Sequence, residues 1–351
     1  MPKRRLYLIA GLSLIVVLWV AGYLREDNSP APPALPSHSY SKALRQAHEG
    51  LPGAARVLYQ QLQRTDLAPI RRAALYAELP NYPSPLALKL ASRDLQHEDP
   101  LVRRAAVGCI GRMLTTGQRS LVLGPLLDDA EQSVRFAAVD ALLGLEPDEI
   151  GLYIGPLQTA LEQYQQALQL QPEDAAAQLR LARLYLHEDA FEQAAAALKQ
   201  SLKTAPDSLD ALAVQVRLLE RQGQHDASRQ VLAKALAVQP ESAFLQHELG
   251  VWLTRHDQPE YALLALSRAV ELEPDNTGYR QALAIALHGL EQTEAAQRQL
   301  ETVLSQQPAN REARVLLIEY WKQTGQLQNV QVLLAQLEQQ NPDDPLVQQG
   351  L

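Results

Sequence analysis

The apolar residues of this chain follow a helical pattern along most of its length. They are mostly Ala and Leu, with 3 Phe and 3 Trp in 351 residues, and Val and Ile seldom alternate with polar residues as they would in a half-buried strand. Strand propensity is therefore weak throughout. The pattern predicts an all-α protein, with one segment near the N-terminus that stands apart.

That segment, residues 6–24, contains no charged residue and is long enough as a helix to cross the hydrocarbon core of a bilayer. Basic residues at 3–5 precede it, whereas residues 25–27 carry no net positive charge. The positive-inside rule then predicts a single-pass helix with a cytoplasmic N-terminus at 1–5. In a bacterium this is an inner-membrane protein whose bulk is periplasmic, and its lipid contact is 6–24.

A cleaved signal peptide is the alternative for residues 6–24. Its apolar region is usually 7–15 residues long, and no clear A-x-A site precedes the Pro-rich stretch here. We therefore favour an uncleaved signal anchor. Residues 25–39, rich in Pro and Ser, are predicted to be an extended linker between the anchor and the folded part.

The C-terminal half has a period of 34 residues. Prolines recur at this spacing: Pro172, Pro206, Pro240, Pro274, Pro308 and Pro342. A leucine recurs in the same register: Leu198, Leu232, Leu266, Leu300 and Leu334. Four residues before each leucine stands a mostly small residue, namely Ala194, Ser228, Ala262, Ala296 or Val330. Small positions let two helices of a hairpin approach closely, and a fixed period of this length indicates a solenoid.

This combination resembles the tetratricopeptide (TPR) family over five units at 175–342. The sequence departs from the family pattern at Gln215 in the second unit and at Val330 and Leu337 in the last unit. We interpret the last unit as a terminal cap. Residues 147–174 are predicted to be a junction, in which residues 156–171 match only the second helix of a unit. Residues 343–351 are predicted to be a C-terminal tail.

A second period occupies residues 40–146. Three pairs, Ile70-Arg71, Val102-Arg103 and Val134-Arg135, are spaced by 32 residues. An alanine stands three positions after each arginine: Ala74, Ala106 and Ala138. The pattern resembles short HEAT-type repeats. This resemblance implies that an Asp caps the helix, that the β-branched residue faces the core, and that Arg pairs with acids of a neighbouring repeat. The predicted fold is a right-handed α-α superhelical solenoid, HEAT-like and then TPR, that forms one curved rod.

Composition and motifs argue against catalysis. The net charge of -8 and pI near 5.6 give no electrostatic reason to bind nucleic acid. The single Cys109 excludes CxxC and CxxCH motifs, and no HExxH, phosphate-loop or GxSxG pattern occurs. We therefore predict no catalytic residue, no metal site, no cofactor and no small-molecule substrate, so that the protein is not an enzyme. An enzyme with an unrecognised site is the alternative.

The TPR resemblance implies that the first helix of each unit lines a concave surface. The residues placed there as partner-binding candidates are Arg180, Arg183, His187, Arg217, Arg221, Phe244, His247, Arg255 and His288. Arg183 and Arg217 are 34 residues apart, as are Arg221 and Arg255, so neighbouring units should align them on one wall. Guanidinium groups bind carboxylates in a bidentate way, which favours an acidic or C-terminal peptide segment.

The alternative for these arginines is ordinary pairing with Glu220, Glu248 and nearby acids on the helix surface. The predicted function is a membrane-anchored periplasmic scaffold or adaptor that binds a protein partner through its TPR groove. An accessory factor of cytochrome c maturation, or of a respiratory or electron-transfer complex, is the second hypothesis. It depends on a resemblance of the HEAT-then-TPR order to the C-terminal part of some multihaem cytochromes.

Overall fold

The computed structural model describes residues 39–350, which form a helical repeat array. Of residues 39–350, 78% are helical, and none of them lies in a β-strand. The predicted all-helical solenoid is thus confirmed for this part of the chain. The predicted N-terminus at 1–5, the anchor at 6–24 and nearly all of the linker at 25–39 lie outside the described residues. Between residues 39 and 350, no helix combines the length and apolar character needed to cross a membrane.

The N-terminal part of the array is a series of short helices in the range predicted to be HEAT-like. They are α1 (Tyr40–His48), α2 (Ala54–Gln63), α3 (Pro69–Glu78), α4 (Pro85–Asp94), α5 (Pro100–Met113), α6 (Thr116–Leu123) and α7 (Gln132–Leu142). Helices α3, α4 and α5 begin with proline, which lacks an N–H that would be unpaired there anyway. Asp99 caps α5 by accepting a hydrogen bond from the Leu101 amide at 2.8 Å. Local sequence therefore sets where these helices begin.

Two arginines join successive repeats. Arg103 donates to both carboxylate oxygens of Asp129, at 2.8 and 2.7 Å, and its other nitrogen contacts the His97 carbonyl at 2.8 Å. Arg72 occupies the equivalent place, with Asp94 at 2.6 Å. Each guanidinium thus satisfies carbonyls of the turn before its helix and a carboxylate of the next repeat.

The predicted register of the first repeat is wrong by one residue. Ile70, expected in the core, is 66% exposed, whereas Val102 and Val134 are fully buried. The buried arginine is Arg72, and it is 31 residues before Arg103, not 32. The next repeat is one residue longer, because Arg135 follows Arg103 by 32 residues. The buried face of α3 therefore contains Arg72, Leu75 and Tyr76, and Ile70 lies outside it.

The junction contains a one-turn helix, α8 (Pro147–Ile150), and a long helix, α9 (Ile154–Gln169). Ala160 and Tyr164 of α9 are both 2% exposed. The Tyr164 ring stacks on Phe136 of α7 with centroids 3.9 Å apart. Helix α9 therefore covers the last HEAT-like helix and offers its other side to the first hairpin that follows.

Five helical hairpins fill the range predicted to hold the TPR units. Their helices are α10 (Ala175–His187), α11 (Phe191–Thr204), α12 (Leu209–Arg221), α13 (His225–Val238), α14 (Ala243–Arg255), α15 (Pro259–Leu272), α16 (Thr277–Gly289), α17 (Thr293–Gln306), α18 (Arg311–Gln323) and α19 (Leu327–Gln340). The side chain before each first helix accepts a hydrogen bond from that helix, and these caps are Asp174, Ser208, Ser242, Asn276 and Asn310. Such caps satisfy amides that have no partner inside a helix.

The turn inside each hairpin requires a left-handed backbone at one position. That position is occupied by Asp189, Gly223, Asp257, Glu291 and Gly325, with φ between 53° and 72°. Glycine adopts this conformation without steric cost, whereas a side chain does not. Gly250 is required for a different reason, because a Cβ there would lie 2.6 Å from Cγ of Leu266. The small positions thus allow the close helix approach that the period predicts.

The two ends of the described array meet, which corrects the expectation of one curved rod. The Gly53 amide donates to the Gln339 carbonyl at 2.7 Å, and Asn341 Nδ2 donates to the Pro83 carbonyl at 2.8 Å. Gly50, at φ 60°, leaves no room for a Cβ beside Pro308. The small rotation between repeats accumulates along a solenoid, and here it brings the last hairpin back to the first helices.

Residues 343–351, predicted to be a tail, include a further short helix, α20 (Pro345–Gln349). Asp344 caps it through the Leu346 amide at 2.9 Å and pairs with Arg311 at 3.2 Å. Asp344 and Asn341 are both 0% exposed. This segment continues the 34-residue capping pattern, because Asp344 follows Asn310 by one period, and it is held by the closing contact.

Cys109 is a buried thiol, as its Ala-rich surroundings predict. Its side chain is 1% exposed, and burial raises the pKa of the thiol to about 12. The reactive form of cysteine is the thiolate, which is therefore scarce here at neutral pH.

Candidate binding groove

Four of the predicted arginines converge on one cavity. The cavity has a volume of about 420 Å³ and lies along the first helices of three successive hairpins, α10, α12 and α14. The residues that line it are Arg183, Leu186, His187, Arg217, Glu220, Arg221 and Arg255. We call this surface the arginine groove. The 34-residue spacing places these side chains together because successive hairpins repeat one geometry.

The arginines of the groove divide into two kinds. Arg221 pairs with Asp189 at 2.5 Å and Arg183 approaches Asp210 at 3.6 Å. Arg217 and Arg255 have no carboxylate within 4.0 Å among residues 39–350. All four side chains are exposed. Among the described residues, two guanidinium groups of the groove are therefore without an ion-pair partner, on a protein that is acidic as a whole.

Glu220 forms no ion pair with an arginine of the groove, so in the described part of the chain the alternative of ordinary arginine pairing holds only for Arg183 and Arg221, through Asp210 and Asp189. Its carboxylate accepts hydrogen bonds from Trp252 Nε1 at 2.9 Å and from the Ser228 hydroxyl, and lies 2.7 Å from His256 Nε2. Burial raises the pKa of Glu220, but hydrogen bonds from Ser228, His256, Trp252 and His225 outweigh it and lower the pKa to about 2. Glu248 likewise lies beside His247, at 3.3 Å.

The other predicted residues lie outside the arginine groove. Arg180 donates to the Tyr164 hydroxyl at 2.7 Å and lines a second cavity at the junction. His247 stacks on Tyr279 at 4.9 Å between centroids, and His288 stacks on Tyr320 at 3.8 Å. Phe244 is half-buried. The rings of His247 and His288 are therefore packed against a neighbouring helix. Of the nine candidates, the structure brings four arginines and His187 together in the arginine groove.

A larger cavity, of about 700 Å³, lies in the HEAT-like part. Its charged lining includes Arg103 and Asp129, which bind each other through two hydrogen bonds. Among the described residues, its only arginine is thus already paired, whereas two arginines of the arginine groove have no carboxylate partner.

One cluster of possible metal ligands was not predicted from the sequence. Glu220 of α12, His225 of α13 and His256 after α14 place potential metal-ligand atoms within 4.8 Å of one another. An HExxH motif places two histidines on a single helix, whereas these residues lie on three elements of two hairpins. The sequence holds one indication of this cluster. His256 follows Glu220 by one period plus two residues, which puts both at the same end of adjacent hairpins.

Fold and groove together define an α-solenoid with an arginine-lined cavity along the first helices of three hairpins. A family model described as tetratricopeptide repeat matches residues 155–208, 186–247 and 287–351, and a HEAT repeats model matches 50–145. The chain therefore contains both kinds of repeat, as predicted from the two periods. Between these matches, α14 and α15 continue the same hairpin packing and capping. Repeats of this kind form extended surfaces for protein interaction, so the chain has the architecture of an interaction scaffold.

No curated protein matches the sequence. Among solved structures, TTC0263, a thermophilic TPR protein of Thermus thermophilus, is 24% identical and covers 58% of this chain and 98% of its own, with a TM-score of 0.41. YrrB, described as a TPR protein with an unusual peptide-binding site, is 23% identical over 52% of this chain and 94% of its own, at 0.35. Yeast Tom70 is 12% identical over 92% of this chain and 63% of its own, at 0.48.

Proposed function

We propose that the chain is a scaffold that binds an acidic segment of a protein partner in the arginine groove. The observation that carries this proposal is that Arg217 and Arg255 face a cavity without carboxylate partners, while Arg183 and Arg221 beside them are paired. An acidic peptide supplies the missing carboxylates. Among the described residues that line this cavity there is no cluster of nucleophile and base, so binding is the function that it favours over chemistry.

The shape of the groove suits an extended segment. Its arginines come from three consecutive hairpins, so a peptide that follows the row meets a guanidinium at each hairpin. Guanidinium groups form paired, parallel hydrogen bonds to a carboxylate, and these charge-assisted bonds are roughly twice as strong as neutral ones. Repeated Arg–carboxylate contacts would fix the direction and register of the bound segment.

A peptide titration tests this function. We expect a fluorescently labelled peptide rich in Glu and Asp to bind the full chain in an anisotropy assay, and the same peptide with Gln and Asn to bind at least about tenfold more weakly. Raising ionic strength from 0.05 to 0.5 M is expected to weaken the acidic peptide selectively, because exposed charges are screened over about 10 Å at 0.1 M salt. Equal binding of the two peptides would refute the proposal.

We also propose that residues 6–24 hold this scaffold at a membrane, with the repeat array on the extracytoplasmic side. Support comes from the uncharged length of the segment and from the basic residues at 3–5 before it. Alkaline phosphatase needs the disulfides of an oxidising compartment. A C-terminal fusion to it in a bacterium should be active and membrane-bound, and deletion of 6–24 should abolish both properties. An active fusion that is released in soluble form, with a new N-terminus beyond residue 24, would support signal-peptide cleavage instead.

A further inference from the structure

We propose that Glu220, His225 and His256 form a binding site for a divalent transition-metal ion, with Zn²⁺ as the best match to its ligand set. Two imidazoles and one carboxylate at a shared point are a known donor combination for zinc. The site borders the arginine groove, because Glu220 lines that groove as well. It does not depend on the proposed peptide binding and is tested without a peptide.

The geometry of the three side chains is close to what zinc requires. His225 Nδ1 lies 3.4 Å from Glu220 Oε1, and His256 Nε2 lies 2.7 Å from Glu220 Oε2. Ligand atoms about 2.0–2.2 Å from a tetrahedral zinc are separated by roughly 3.3–3.5 Å. His225, whose side chain is 56% exposed, already has this separation from Glu220. His256 Nε2 is at hydrogen-bond distance from Glu220 Oε2 and would have to draw back slightly for both to bind one ion.

Two of the ligands are already held in place by buried neighbours. Trp252, which is 4% exposed, donates its indole N–H to Glu220 Oε1 at 2.9 Å, and its ring stacks on His256 with centroids 4.0 Å apart. The fully buried Ser228 donates its hydroxyl to the same carboxylate oxygen. Partners that orient metal ligands in this way often contribute 10- to 100-fold to metal affinity.

Three protein ligands leave a fourth position of a tetrahedral zinc open. Since Glu220 also lines the arginine groove, an ion bound to it would lie beside that cavity. An ion there would join the second and third hairpins, because its ligands come from α12, α13 and the end of α14. It would also accept a further ligand, such as a carboxylate or a water molecule.

Isothermal titration of ZnCl₂ into the full chain, without an affinity tag and in a non-chelating buffer, tests the site. We expect about one ion per chain with micromolar or tighter affinity, and visible absorption bands of tetrahedral Co²⁺ when cobalt replaces zinc. Bound zinc should also raise the melting temperature, because a ligand that binds only the folded state stabilises it. Absence of a binding heat and of the cobalt bands would overturn the proposal.

Matched histidine variants identify the ligands. His225→Ala removes an exposed ring and is expected to weaken zinc binding at least about tenfold, as is the isosteric Glu220→Gln. His187→Ala removes another exposed histidine of the arginine groove that lies outside the cluster, and should leave zinc affinity unchanged. Equal affinity of His225→Ala and the wild type, or an equal loss in His187→Ala, would place the ion elsewhere and refute the site. Since Glu220 is also hydrogen-bonded to buried groups, His225→Ala decides the outcome if Glu220→Gln fails to fold.

Discussion

Replacing both Arg217 and Arg255 by glutamate is expected to weaken binding of the acidic peptide by at least about 100-fold. A hydrogen bond to a charged group contributes roughly 1.5–3 kcal/mol, and each reversal also adds repulsion to the peptide. Since about 1.4 kcal/mol corresponds to tenfold in affinity, two such losses exceed the stated factor. An anisotropy titration with the labelled peptide rich in Glu and Asp measures this change directly.

The control is a second double reversal, Arg229→Glu with Arg298→Glu. Both arginines are exposed on second helices, α13 and α17, and neither lines the arginine groove. The two double variants have the same net charge, so a difference between them isolates the position of the charge. All four replaced side chains are exposed, and surface substitutions usually change stability within about 0.5 kcal/mol. Similar weakening in both double variants would mean that long-range charge, not the groove, attracts the peptide.

Asp94→Ala is expected to destabilise the HEAT-like part by about 3–5 kcal/mol. Arg72 and Asp94 are 4% and 3% exposed, and their ion pair is 2.6 Å long. Tyr76 also donates to Asp94 at 2.7 Å. Removing one partner of a buried pair leaves an uncompensated charge, and this is far more costly than loss of a surface pair. Hydrogen exchange of the α3, α4 and α5 amides measures the local effect, since a repeat array need not unfold in one step.

The matched control for Asp94→Ala is Asp66→Ala. Asp66 pairs with Arg64 at 2.7 Å but is 68% exposed, and exposed pairs are typically worth less than about 1 kcal/mol. We expect little change in exchange protection for this variant. A comparable loss of exchange protection in the two variants would contradict the role of the buried Arg72–Asp94 pair in joining successive repeats.

The same carboxylate should make stability depend on pH. Burial raises the pKa of Asp94, but hydrogen bonds from Arg93, Tyr76 and Arg72 outweigh it and hold the pKa below its usual range. Its contribution is therefore fully present above the unfolded value of about 3.9 and is lost as pH falls through the lower folded value. The stability difference between wild type and Asp94→Asn should accordingly shrink below about pH 4.

Sequence periods were sufficient for the fold class and for the four arginines of the groove. A hairpin buries the same positions in every unit, so residues 34 apart, such as Arg183 and Arg217, must lie on the same face. The prediction was less successful where one unit departs from the pattern. Ile70 was placed in the core because its spacing was taken as 32, and a single-residue shift moves a helical position to another face.

By itself, the sequence determined the features that depend on neighbours along the chain or on the next repeat: the helices, their caps, the small positions and the row of arginines. Only the tertiary structure decided which acids pair with those arginines, that Glu220 meets His225 and His256, and that Asn341 reaches Pro83 to close the array. The first two kinds of contact lie within one hairpin or between adjacent hairpins and depend on side-chain positions that the spacing does not fix. The closing contact joins the two ends of the described array. It depends on rotations summed over many repeats, and no local spacing of residues records that sum.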